Sequence, residues 1–166
     1  VRSLAREGHP APHPDSRLLF NGLIFESIAL NPAGLLSLSA SVKTNGAGFP
    51  SDCIWVGTAQ GLELAGQGGL LPSPLDSAPF TDFNAVTVNS HTQFCFVGTI
   101  RTGQFTNDSA IVAGALTNLV IAARENCPAP GMPPGVRFDN LALVKPVLSD
   151  GGHVAFAATV SGPDIG

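Results

Sequence analysis

Leu119–Gly166 reads LVIAARENCPAPGMPPGVRFDNLALVKPVLSDGGHVAFAATVSGPDIG, and the order of its parts decides the fold. An apolar strand ends in Ala-Arg-Glu, a Pro/Gly corner follows, and a second strand closes on Leu148-Ser149. Asp150-Gly151-Gly152 makes a tight turn from residues that tolerate left-handed backbone, and His153 opens a third apolar strand. The same order of parts occurs twice more. Arg6-Glu7 and Pro10-Ala11-Pro12 stand 118 residues before Arg124-Glu125 and Pro128-Ala129-Pro130. The turn residues Asn31, Asn89 and Ser149 are spaced by 58 and 60, two steps that make up the same 118.

Between these landmarks the chain alternates and punctuates like antiparallel sheet. The first copy has strands at Leu18–Leu30, Leu35–Lys43, Cys53–Ala59 and Leu62–Ala65, with Pro32-Ala33-Gly34 as the first turn. The second has a Gly/Pro/Ser corner at Gly68–Pro79, then strands at Phe80–Asn89, Gln93–Arg101, Ser109–Ala115 and Leu119–Ala123. Thr102–Asp108 reads as a polar loop. Four short strands per unit of about 58 residues predict an all-β fold of propeller-like, four-stranded antiparallel blades. A β-solenoid or a two-sheet sandwich is the alternative, but solenoid coils are shorter and a sandwich has no reason to repeat its landmarks. The approximate repeats are 4–61, 62–118 and a truncated 119–166, an incomplete ring in one chain. A fragment of a longer propeller, a ring completed by other copies, or a polymer built by strand sharing would each account for that count.

The strand His153, Val154, Ala155, Phe156, Ala157, Ala158, Thr159 and Val160 would then present an apolar edge, which proteins seldom leave unpaired. Val1, Arg2, Ser3, Leu4 and Ala5 form the matching candidate edge, able to pair with the C-terminal strands of another copy. Asn31, Gly34, Asn89, Ser149 and Gly152 are candidate turn residues, with the short polar side chains of Asn31, Asn89 and Ser149 satisfying local backbone N–H groups.

Apolar residues make up 44% of the chain and charged residues 12%, about half the usual charged share. A surface built instead from Ser, Thr, Asn, Gly and Pro suits an extracellular or assembled protein. The net charge of −4 offers no basic stripe for nucleic acid. No stretch is long and apolar enough to span a membrane, and Val1 reads as the start of a processed or truncated chain. Three cysteines, Cys53, Cys95 and Cys127, allow at most one internal disulfide and read as small apolar residues.

The motif residues resemble a bacterial extracellular tandem-repeat family with an NxxGxxAF-type motif, the choice-of-anchor tandem-repeat proteins. The resemblance rests on Ala123–Gly131 (ARENCPAPG), Gly135–Phe138, Pro146–Ser149 and Gly152–Phe156. The first copy keeps Ala5–Pro12 and Asn31-Pro32-Ala33-Gly34 but has Leu36-Ser37-Leu38 in place of the motif's apolar end. The second keeps Asn89, replaces the glycine by Thr92 and carries Phe94-Cys95-Phe96. The resemblance implies an exported, surface-associated repeat protein, and it brings no catalytic residue.

No nucleophile elbow, metalloprotease, phosphate-loop or dinucleotide motif occurs, and neither a cofactor nor a metal site is expected. Asp139, Asp150 and Asp164 lack the clustered spacing that calcium needs. His9, His13, His91 and His153 lie in different copies and lack the further ligands of a zinc site. Arg6-Glu7 and Arg124-Glu125 point to opposite faces of their strands, so each residue should bind the corner or the next blade. Asn107 heads a glycosylation sequon, Asn107-Asp108-Ser109. These residues point to a non-enzymatic extracellular structural or interaction protein that associates with itself as a ring-completing oligomer or filament. A module for glycans or another surface ligand is the alternative, with the single Trp55 as the aromatic to test.

Overall fold

The structure is a computed structural model that describes residues 3–44, 47–68, 80–102, 106–141, 145–163 and 165. Among them every regular element is a strand. β1 (Leu18–Leu30), β2 (Leu36–Thr44), β3 (Ala47–Thr58) and β4 (Gly61–Gln67) form one antiparallel sheet in chain order. β5 (Phe80–Val88), β6 (Phe94–Thr102), β7 (Thr106–Ala115) and β8 (Asn118–Arg124) form a second sheet of the same order. The third unit is smaller: β9 (Arg137–Asn140) pairs with β12 (Thr159–Ser161), and β10 (Val147–Leu148) with β11 (Val154–Ala155).

Pairing recurs residue for residue. Leu30 faces Leu36, Val88 faces Phe94 and Leu148 faces Val154; one step inward, Ala29 faces Ser37, Thr87 faces Cys95 and Val147 faces Ala155. An extra bridge flanks the first strand of units one and three, Pro10 to Leu19 and Pro128 to Arg137. The hairpin turn has its left-handed residue at Gly34, Thr92 and Gly152, with φ of 84, 61 and 79°. Glycine meets that demand at two of the three positions, and Thr92 accepts a conformation costly for a β-branched residue.

The expectation of one continuous strand from His153 to Val160 is corrected. Residues 156–158 separate β11, paired with β10, from β12, paired with β9, so three residues on this side stand against six in sequence between Asn140 and Val147 on the other. The same mismatch lies inside β1, whose register jumps between Leu23 and Ile28, where the longer strand must bulge to keep its pairing. Ser3–Ala5 belong to no strand, and Val1 and Arg2 lie outside the described residues. The polar loop at 102–108 is shorter than expected, because Thr102 pairs with Thr106 and Arg101 with Asn107. Asn107 therefore sits on β7, and its side chain lies outside the description, as do residues 69–79 of the Gly/Pro corner.

Period-two alternation makes both faces of each sheet apolar, so three layers form. Between sheets one and two, Ile54, Val56 and Ala65 meet Phe80, Phe83, Phe94, Phe96, Ile100 and Val112. Phe83 and Phe96 pack edge to face with centroids 5.5 Å apart. Between sheet two and the third unit, Cys95, Val97, Ile111 and Ala113 meet Leu141, Leu148, Phe138 and Phe156. The outer face of sheet one (Phe20, Leu38, Val42, Trp55) is covered by the N-terminal strap through Leu4, Ala5 and Ala11.

Gly57 and Gly114 are among the glycines set by close approach. A Cβ on Gly57 would run into the carbonyl of Gly61, and one on Gly114 into that of Asn118, the same place in the two sheets. Gly61 has open space and ordinary backbone. We expect Gly57→Ala and Gly114→Ala each to cost about 1–3 kcal/mol in urea unfolding, with Gly61→Ala close to neutral.

Candidate functional site

The densest polar arrangement lies where the three hairpin turns meet. Each turn closes in the same way: Asn31, Asn89 and Ser149 receive on their side-chain oxygens the amides of Leu35 (2.7 Å), Gln93 (3.0 Å) and His153 (3.1 Å). Their own amides donate to the carbonyls of Leu35, Gln93 and His153. This is the local bonding that the sequence led us to expect.

The other half of each carboxamide does something the sequence did not suggest. Asn31 Nδ2 donates to the Asn89 carbonyl, and Asn89 Nδ2 donates to the Ser149 carbonyl at 3.0 Å. The three turns are thus threaded by a ladder in which each asparagine caps its own turn and grips the next. Asp150 adds a return contact, accepting from the Ser90 amide at 2.8 Å. Hydrogen bonding from Ser90, its side chain first and then its amide, holds the exposed Asp150 carboxyl below its ordinary value. An amide has both a donor and an acceptor, and recurrence of Asn at one repeat position was the available signal.

A second polar tie joins sheet two to the third unit. Glu125 accepts the Ser109 amide (2.7 Å) and the Leu141 amide (3.4 Å), so one carboxylate spans the junction. Arg124 reaches Asp108 at 3.4 Å, and Asn126 Nδ2 donates to the same carboxylate at 2.9 Å. Arg124 and Glu125 therefore act separately, as their opposite faces require. Arg6 and Glu7 are exposed.

Beside the ladder, each junction opens into a cleft. The first, about 620 Å³, is lined by Leu35, Val56, Thr58, Gln60, Glu63, Thr92 and Thr117. The second, about 390 Å³, is lined by Gln93, Gly114, Asn118, Leu148, Gly152 and Phe156. Trp55 contributes to neither. It is fully buried, its ring against Phe20 and its Nε1 donating to the Pro12 carbonyl at 2.9 Å, so it offers no platform to a sugar.

The remaining candidates are dispersed. Burial pushes the thiols of Cys53 and Cys95 up to about 12, leaving both un-ionised at neutral pH, while Cys127 is exposed. Neighbouring Asp52 adds to the shift at Cys53. His13 Nε2 bonds Gln67 Oε1 at 2.7 Å and its Nδ1 accepts the Asp15 amide, so both ring nitrogens have partners. Asp139 accepts from Thr159, and Asp164 lies outside the described residues. Among the described residues no group of three or more His, Cys, Asp or Glu side chains could hold a metal ion. None of their helices is long and apolar enough to cross a membrane. His153 and Ala155, Ala157 and Thr159 are exposed, whereas Val154, Phe156, Ala158 and Val160 are half-buried.

The chain is all-β, with antiparallel sheets joined by polar ties at their turns and edges. The chain belongs to a family of unknown function, DUF7453, whose model matches residues 1–166. No curated protein and no solved structure matches it.

Two outcomes follow. Asn89 serves two turns at once, so Asn89→Ala should cost about 1–3 kcal/mol in denaturant unfolding, the penalty of orphaning its partners. Ser149→Ala, which loses a single local bond, should cost less. Across the first junction, burial and then the charge of Asp82 push the Asp52 carboxyl above its ordinary value of 3.8. The folded state therefore binds that proton more tightly than the unfolded state, and stability is lost as pH rises through the folded value. Asp52→Asn should raise the thermal midpoint at pH 7, and that gain should vanish below the ordinary carboxylate value.

Proposed function

We propose that this protein is a non-enzymatic structural or interaction protein of the cell exterior, a tandem array of propeller-like blades that associates with itself. The observation that carries the reading is the recurrence of one junction. Apolar faces stack, and an asparagine carboxamide passes from turn to turn at both places where units meet. A catalytic group is needed once, whereas a joining device is needed at every junction. The sparse charge and the resemblance to exported repeat proteins support a location outside the cell.

Self-association through such junctions would give a ring or a filament drawn from several copies. Sedimentation of the full chain over a wide concentration range, with negative-stain images, tests this. Discrete rings or filaments are expected. A monomer at every concentration would contradict self-association.

The clefts beside the ladder favour a second reading, a glycan or surface ligand held on the turn face by Thr58, Gln60, Glu63 and Thr117. Glycan-array binding lost on Gln60→Ala together with Thr117→Ala would establish it, and an array without signal would remove it.

A further inference from the structure

We infer that the cleft between the first two units takes a cationic sugar, a hexosamine whose free amine sits against the Glu63 carboxylate. This rests on the second reading above, a glycan in that cleft, and names the kind of glycan.

Both walls of the cleft belong to this chain. Thr58 and Glu63 come from the β3–β4 hairpin of the first unit, and Thr92 and Thr117 from the turns of the second. Because the units repeat, the second cleft shows what the shared plan alone puts at these places. Glu63 faces Val56 across its hairpin as Val120 faces Ala113, and Thr58 faces Gly61 as Ala115 faces Asn118. The first cleft thus carries Glu63 and Thr58 where the second has Val120 and Ala115. It carries Thr92 where the second has Gly152.

The second cleft has its own polar group in Gln93, but the Oε1 of that residue already accepts from Asn89 Nδ2 at 2.6 Å. Gln93 also stands 3.2 Å from where a side chain on Gly152 would begin. In the first cleft Leu35 takes the place of Gln93, each bonding the turn asparagine four residues before it. The first cleft is the roomier, about 620 Å³ against 390 Å³.

Two of these departures are not what packing asks for. Thr92 holds a φ of 61° at a turn position where the other units have glycine, and backbone strain of that kind gathers at sites that use it. Its hydroxyl donates to the His91 carbonyl at 2.6 Å, which leaves the oxygen able to accept. Glu63 is exposed, and among the described residues no hydrogen bond or ion pair engages its carboxylate. None of the residues lining the cleft is Lys, Arg or His.

This lining selects among sugars. A carboxylate with no base beside it repels uronic, sialic and sulfated residues and attracts an ammonium. The hydroxyls of Thr58, Thr92 and Thr117 suit a ligand with several hydroxyls of its own, which a plain alkylamine lacks. Leu35, Val56 and Leu62 offer an apolar floor to the C–H face of a pyranose, in place of the aromatic platform that buried Trp55 does not provide. An exposed ion pair is weak, so Glu63 supplies selectivity while the floor and hydroxyls supply the hold.

The test is titration calorimetry of the full chain, in mildly acid buffer of low salt, with a glucosamine oligomer and with the same oligomer N-acetylated. The free-amine form should bind about fivefold more tightly, and added salt should shrink that ratio. Glu63→Gln should abolish the difference with the thermal midpoint unchanged. Thr92→Gly, which restores the residue of the other two turns, should unfold no earlier than wild type yet bind more weakly. If both oligomers bind alike and Glu63→Gln alters neither, the amine preference is wrong while a glycan in the cleft stands. A lysine oligomer binding as tightly as the free-amine sugar would overturn the sugar and leave a general cation contact. If neither oligomer nor any neutral sugar binds, both readings fall.

Discussion

Each sheet is apolar on both faces, and a four-stranded sheet of that kind cannot stand alone in water. Everything else in the structure answers that constraint. Phe83, Phe94 and Phe96 turn one way from sheet two, Cys95, Val97 and Ile111 the other, so sheet two must be sandwiched. Fully burying each such side chain is worth about 1.5–3 kcal/mol, and six residues already outweigh any of the polar ties. Stacking supplies the stability, and the chain meets the need by packing sheet on sheet.

Apolar layers are poor at choosing a register, because hydrophobic contact has no direction. The asparagine ladder supplies direction. Asn89 binds its own turn through Oδ1 and the following turn through Nδ2, so sliding one unit against the next breaks bonds in both. Ser39 adds a tie in the layer, donating to the Phe83 carbonyl at 2.9 Å. Each bond is worth only about 1 kcal/mol net, but a donor left unpaired at a buried junction costs more than the bond returns. Asn and Gly in these turns thus have distinct reasons: the first links one turn to the next, and the second gives the turn its left-handed residue.

Much of the architecture was legible because alternation and turn chemistry agree. LLSLSASVK reads as a strand with one apolar face, and Leu38, Ala40 and Val42 do share the cluster on one side. The mistakes have physical causes. His153–Val160 alternates without a break, but its partner carries extra residues between Asn140 and Val147, and only three-dimensional pairing exposes that mismatch. Thr102–Asp108 is polar, yet strand pairing runs through most of it. Asn31 looked like a local turn former because the recurrence of Asn at position 89 does not by itself say that the two turns touch. The exposure of Leu30 was equally hidden, since its counterparts Val88 and Leu148 are just as apolar; only their burial separates them.

The central claim is that consecutive units are locked in register through their turns. Side-chain amide hydrogen exchange measured by NMR addresses it without altering a residue. The account predicts that the bonded Nδ2 protons of Asn31 and Asn89 exchange far more slowly than those of exposed Asn118. Exchange of Asn31 and Asn89 as fast as Asn118 would contradict it.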